Sequence, residues 1–196
     1  MSRYLIAGLG NPGRKYAKNR HNVGARCIER LAADHDLPFN RRQKSANLAL
    51  GAILQHPVAL VKPRTYMNRS GRPIAALASF YRVPLDRLLV VYDDLDLPLG
   101  TTRMRPSGGS GGHRGMRSII NQLGRRDFPR LRIGIGRPPG RMDPADYVLQ
   151  DFSDQEENLL AKTLDQATAA IETWLGEGVD EAMTRYNRGV EDGPVD

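Results

Sequence analysis

Short unbroken apolar runs alternate along this chain with stretches whose apolar residues recur every three or four positions. Residues 3–9 (RYLIAGL) and 87–93 (RLLVVYD) are runs of the first kind and read as strands buried on both faces. Residues 46–54 and 58–62 predict a hairpin turning near His56-Pro57. Residues 101–105 predict a polar strand, and 130–136 (RLRIGIG) a further apolar one. Helical spacing appears over 23–33, with Asn22 placed to cap its start, and over 69–82, where Ile74, Leu77, Ala78 and Tyr81 share a face. Residues 113–124 read as a helix that Gly124 ends. Ser153 and Glu156 form a capping box ahead of a long helix whose apolar stripe is Leu160, Leu164, Ala167, Ile171 and Trp174. A short helix near 178–187 follows. Strands and helices that alternate in this way predict one α/β domain over residues 1–190, a mixed, mostly parallel twisted sheet flanked by helices. Residues 191–196 are expected to form a disordered acidic tail.

Composition narrows the class. The 196 residues are 40% hydrophobic and 26% charged, the balance of an ordinary globular domain. Cys27 is the single cysteine, which excludes a disulfide framework and a cysteine-rich zinc site. The opening MSRYLIAGLGNPG reaches glycine and proline after a short apolar run, and no stretch approaches the length of a membrane span. These features predict a cytoplasmic protein. Charge is informative once divided: residues 1–150 carry a net +16 and residues 151–196 a net −9, giving the +7 of the whole. Ten arginines and one acid, Asp127, lie between Arg103 and Arg141. Such asymmetry predicts a polyanionic partner, set against the plainer reading of a solvated basic surface.

The motifs have competing readings. GLGNPG (8–13) satisfies the dinucleotide fingerprint, but RKYAKNRH follows where that fingerprint needs an amphipathic helix. A tight turn that presents Asn11 at the C-terminal end of a strand is the better reading. GGSGG (108–112) matches a nucleophile-elbow pattern, yet only His113 follows Ser110, too close on the same turn to serve as its base. A glycine loop offering backbone N–H groups to an anion fits better. His113 itself reads as structural, and His35 and His56 carry no signal. His21, among Asn19, Arg20 and Asn22, would be a surface residue were it not for YDDLDLP. There Asp93 ends a buried strand at the same sheet edge, where a carboxylate can hold one imidazole nitrogen and leave the other free as a base. Asp94 and Asp96 compete for that role. Residues 63–71 place Tyr66, Met67 and Asn68 between a strand and a helix, either as core and cap or as an apolar wall with an amide. No metal-ligand spacing occurs.

Taken together, GLGNPGRKYAKNRHNVG (8–24), KPRTYMNRSG (62–71), YDDLDLPLG (92–100), SGGHRG (110–115) and RLRIGIG (130–136) resemble the bacterial peptidyl-tRNA hydrolase family, in order and at family-like spacing over most of residues 3–152. The resemblance implies a single α/β domain that hydrolyses the ester between a nascent peptide and tRNA, with no cofactor and no metal. It implies that His21 is the general base, that Asp93 orients it, and that Asn11 distinguishes a blocked from a free α-amino group. Tyr16, Tyr66, Met67 and Asn68 would hold the peptide and the terminal adenosine, and Arg105 and Arg132 the tRNA 5′-phosphate. The expected partner is peptidyl-tRNA, bound by a monomer with no obligate protein partner and no membrane. One position departs: Arg114 stands where the family has asparagine, and a guanidinium donates hydrogen bonds but accepts none. That exchange leaves a non-catalytic RNA-binding relative as the alternative.

Overall fold

The structure, a computed structural model, describes residues 2–187; the tail expected at 191–196 lies outside them. Seven strands are present: β1 (Tyr4–Gly8), β2 (Arg41–Gln43), β3 (Ala46–Ile53), β4 (His56–Pro63), β5 (Leu88–Asp94), β6 (Thr102–Arg105) and β7 (Arg130–Gly134). They form one sheet in the order β2-β3-β4-β1-β5-β7-β6. The four central strands β4, β1, β5 and β7 pair in parallel, and β3 and β6 join them antiparallel. Because β2 is antiparallel to β3, five of the seven strands point the same way. The central strands are apolar on both sides because helices cover both faces. Ile6, Leu89, Val91, Leu131 and Ile133 face α1 (Val23–Asp34) and α5 (Asp154–Glu177). Leu5, Ala7, Leu88, Val90 and Tyr92 face α2 (Gly71–Phe80) and α3 (Arg114–Leu123). Parallel strands joined by crossovers bring their C-terminal ends to one edge, and there such sheets build sites.

Local rules place most boundaries. Gly124 ends α3 in the left-handed conformation, φ 65°. Ser153 and Glu156 exchange both bonds of the capping box at the start of α5. Gly24 allows α1 to lie against the sheet: a Cβ there would stand 2.2 Å from the Val91 carbonyl oxygen. The short helices α4 (Pro144–Tyr147) and α6 (Val179–Tyr186) complete the described residues.

Two expectations are corrected. The hairpin between β3 and β4 turns at Leu54-Gln55, both with positive φ, and His56 and Pro57 already pair within the strands. A two-residue turn of that hand matches strand twist and is usually announced by Asn or Gly, a signal missing here. Asn22 also does not cap α1 with its side chain. Its amide clamps the backbone of Asn11, accepting from Asn11 N at 2.9 Å and donating to Asn11 O at 3.0 Å. That clamp holds the glycine turn against the start of the helix.

Candidate active site

β5 carries Asp93 to the C-terminal edge of the sheet, where the carboxylate is 3% exposed and lies between two imidazoles. His21 comes from a single 3-10 turn before α1, and its Nδ1 is 2.9 Å from both carboxylate oxygens. His113 comes from the residue preceding α3, and its Nε2 is 2.9 Å from Oδ1. The proton positions follow from what each atom can do. The Met116 backbone N–H can only donate, so His113 Nδ1, which caps α3 at 3.2 Å, accepts, and its Nε2 carries the proton toward Asp93. An ionised carboxylate only accepts, so His21 Nδ1 donates and its Nε2 lone pair is left free. Burial alone would push the Asp93 carboxyl up. The two imidazoles more than offset this and hold it well below the usual carboxylate range. Asp93 is therefore a fixed negative charge around neutral pH.

Sequence reasoning left three acids open, and the structure separates them. Asp93 takes the histidines, Asp94 takes Arg132, and Asp96 takes Arg137. His113, set aside in the sequence as structural, is a member of the cluster; its signal was a histidine at the N-cap of a helix starting at the same sheet edge. Ser110 lines the cleft, but neither imidazole hydrogen-bonds its hydroxyl, and both nitrogens of His113 are already engaged. The donor atoms of His21, Asp93 and His113 lie within 4.8 Å of one another, a spacing a cation could use. As they stand, those atoms are matched donor to acceptor.

A cleft of about 830 Å³ opens over the cluster. Asn11, Tyr16, His21, Asp93 and Arg114 line it, together with Tyr66, Met67 and Asn68 from the turn before α2. The Asn11 amide is oriented: its Oδ1 accepts from the Met67 backbone N–H at 2.9 Å, so Nδ2 is the group left to donate. Val148 and Leu149, which no sequence signal assigned to a site, line it too. Arg105 and Arg132 stand outside this lining, on one face of the antiparallel β6–β7 pair, where Arg103 is opposite Arg132 and Arg105 opposite Arg130. Arg105 is exposed, whereas Arg132 is held by Asp94. Arg130 is buried, with its guanidinium donating to the carbonyls of Gly108, Gly109, Arg126 and Phe128. The 108–112 loop is thus anchored to a buried cation through the carbonyls of Gly108 and Gly109, while Ser110, Gly111 and Gly112 line the cleft.

The charge division is also partly internal. Glu156, Glu157, Asp165 and Glu172 from the acidic C-terminal helix pair with Arg20, Arg26, Arg30 and His35. Among the described residues Arg105 and Arg114 are exposed arginines without an acid partner.

Fold and site together define a hydrolase of α/β architecture, built around a carboxylate-held imidazole with one free nitrogen. A family model described as peptidyl-tRNA hydrolase matches residues 5–193. The chain is 52% identical to a peptidyl-tRNA hydrolase of Chloroflexus aggregans, covering 94% of this chain and 98% of that protein. It is 48% identical to that of Syntrophomonas wolfei over 93% and 99%. The crystal structure of peptidyl-tRNA hydrolase from Acinetobacter baumannii superposes with a TM-score of 0.90 at 35% identity, covering 96% of this chain and 97% of that one. A relative named as a chloroplastic group IIB intron splicing facilitator, from Zea mays, is 46% identical over 94% of this chain and 72% of its own length. The chain belongs to the peptidyl-tRNA hydrolase family.

A carboxyl whose pKa is lowered by folding stabilises the native state above its unfolded value, near 3.9, and that contribution is lost as pH falls below it. Asp93→Asn should therefore be less stable than wild type by a constant gap from pH 7 down to about 4, and the gap should narrow as pH falls from there toward about 2. Urea midpoints of both proteins across that range check it; a gap independent of pH would show that the charge is not what stabilises.

Proposed function

We propose that this protein cleaves the ester between peptide and tRNA in peptidyl-tRNA by general-base attack of water at the cleft over Asp93. The observation that carries the reading is His21: its Nδ1 is fixed on a buried carboxylate and its Nε2 is free in the cleft. Nε2 takes a proton from water as the water oxygen bonds to the ester carbonyl carbon. The tetrahedral oxyanion then collapses, the bond to the terminal ribose oxygen breaks, and the imidazolium returns the proton to that oxygen. Peptide acid and free tRNA leave. Asp93 keeps the imidazole in the required tautomer and stabilises its charged form. No metal and no cofactor enters these steps.

Asn11 supports substrate selection. Its Nδ2 donor matches the carbonyl of an acylated α-amino group, an acceptor that free aminoacyl-tRNA lacks. Tyr16, Tyr66, Met67 and Asn68 supply the wall against which peptide and terminal adenosine lie. Arg114, an exposed cation at the first residue of α3, offers donors to the developing oxyanion or to a phosphate at the tRNA end. Arg105 and Arg132 grip the 5′-phosphate. The protein works as a cytoplasmic monomer that needs no protein partner, and no helix of the described residues is long and apolar enough to cross a membrane.

The maize relative favours one second reading, RNA binding without turnover. Identities of 46% and 48–52% are too close to separate it from hydrolysis. A pure binder has no use for an oriented base, and release of tRNA from N-acetyl-aminoacyl-tRNA by the purified protein decides the matter. His21→Ala should lose about 10²–10⁴-fold in kcat with tRNA affinity little changed. Wild-type protein that binds tRNA and releases none would install the binding reading instead.

Asn11→Asp tests selection without disturbing the loop, because a carboxylate still accepts from Met67 N–H while the donor is lost. The preference for acylated over free aminoacyl-tRNA should narrow; an unchanged rate ratio would make Asn11 purely structural.

For the phosphate grip, Arg105→Ala is cleaner than Arg132→Ala, which strips Asp94 of its cation. It should raise KM more than it lowers kcat and reduce the salt slope of log affinity by about 0.7–0.9. On a peptidyl-adenosine, which has no 5′-phosphate, the effect should vanish. Equal losses on both substrates would end that assignment.

A further inference from the structure

The turn that carries His21 is held from outside the sheet as well as by Asp93. Asn19 forms a β-bridge with Asp151 and donates from Nδ2 to its carboxylate at 2.7 Å. The Arg20 backbone N–H donates to Gln150 O at 2.9 Å, and that of His21 to Val148 O at 2.8 Å. Val148 also lines the cleft. Between these contacts lies the Arg20 side chain, 8% exposed, sandwiched with its guanidinium carbon 4.4 Å from the Tyr147 ring centroid and 4.7 Å from that of Phe152. It makes a bidentate pair with Glu156, at 3.0 and 2.7 Å, while its Nε is buried with no partner. Glu156 is itself the capping-box residue of α5.

A cation drawn out of water with one donor unsatisfied is a poor source of stability. Buried pairs of this kind serve better to select one arrangement among several. The guanidinium fork meets both carboxylate oxygens, and two rings fix its plane, so the pair sets position and orientation together. What it positions is the peptide one bond from the base. We propose that Arg20 is a positioning residue for the reaction, which through Glu156 and the 147–152 segment fixes where the free Nε2 of His21 points. The inference rests on His21 being the base. A misplacement of about 1 Å at a reacting group can cost roughly 10²-fold in rate, so a residue that touches no substrate can still govern kcat.

The test compares Arg20→Met, Arg20→Lys, Glu156→Gln, the double variant Arg20→Met/Glu156→Gln and His21→Ala on peptidyl-tRNA, with kcat and KM expressed per folded molecule and folding followed by thermal melting. Arg20→Met should lower kcat about ten- to hundredfold while KM stays within about twofold. Arg20→Lys, which keeps the charge and loses the fork, and Glu156→Gln should lower it less. The double variant should be no worse than Arg20→Met, because both residues act through one contact. Should Arg20→Met fail to fold, Arg20→Lys and Glu156→Gln decide on the same split between kcat and KM. An inactive His21→Ala beside Arg20 and Glu156 variants with wild-type kcat, or with losses confined to KM, would overturn the positioning role and leave the base intact. An active His21→Ala would remove the base, and this inference with it.

Discussion

The rest of the site depends on one constraint: Asp93 is a carboxylate almost without solvent, and it stays ionised only because two imidazoles donate to it. A lone buried charge is costly enough that the group would otherwise protonate. Each partner must therefore be brought from elsewhere in the chain and held there. His21 arrives 72 positions earlier in sequence, and His113 arrives 20 later. Both come from segments that open helices at the C-terminal edge of the sheet, so the parallel order β4-β1-β5-β7 is what makes the cluster possible. The same geometry sets the chemistry. His113 has one nitrogen occupied by Met116 N–H and the other by Asp93, and is therefore spent in holding the acid. His21 has one nitrogen engaged by Asp93 and one without a hydrogen-bond partner.

Charge is arranged on the same plan at longer range. The acidic C-terminal helix lies along α1 and meets it through Arg20–Glu156, Arg26–Glu157, Arg30–Asp165 and His35–Glu172. Pairs that are exposed contribute little stability each. Their larger consequence is that part of the basic charge of residues 1–150 is met by the acidic C-terminal helix within the molecule. The net charge divided at residue 150 thus overstates the basic surface wherever these pairs form.

Elements were legible where a local rule acts alone. The buried runs of β1 and β5, the stop at Gly124 and the box at Ser153–Glu156 each obey a rule confined to a few residues. The sequence also put His21, Asp93 and Asn11 at one edge, because a strand's end and the turn after another strand must share it in a parallel sheet. What it missed depends on distant partners. Asn22 has the composition of a cap and is used as a clamp, because Asn11 lies across from it. The Gly108 and Gly109 carbonyls turn toward Arg130, a residue 21–22 positions away whose burial nothing local announces. Asp94 and Asp96 could not be told from Asp93 by spacing, since the difference among them is which cation or imidazole folds against each.

The residues proposed for binding and those proposed for turnover lie on separate parts of this fold, which bears on how relatives under two different names can share it. The arginines of β6 lie on an edge strand outside the cleft lining, and nothing in the Asp93 cluster depends on them. The cluster depends on three side chains and on the turn that carries one of them. A lineage could therefore keep a basic face while losing hydrolysis through a single change at His21, with the fold and roughly half of all identities intact. Overall similarity is a weak instrument for telling the two outcomes apart, whereas the state of the imidazole is decisive. In this chain the imidazole is held on its carboxylate, has a nitrogen without a hydrogen-bond partner, and lines a cleft of about 830 Å³. An arrangement so restrictive, with a buried charge at its centre and a desolvated arginine behind it, is costly to maintain for binding alone. The activation of water proposed above is a use that accounts for that cost.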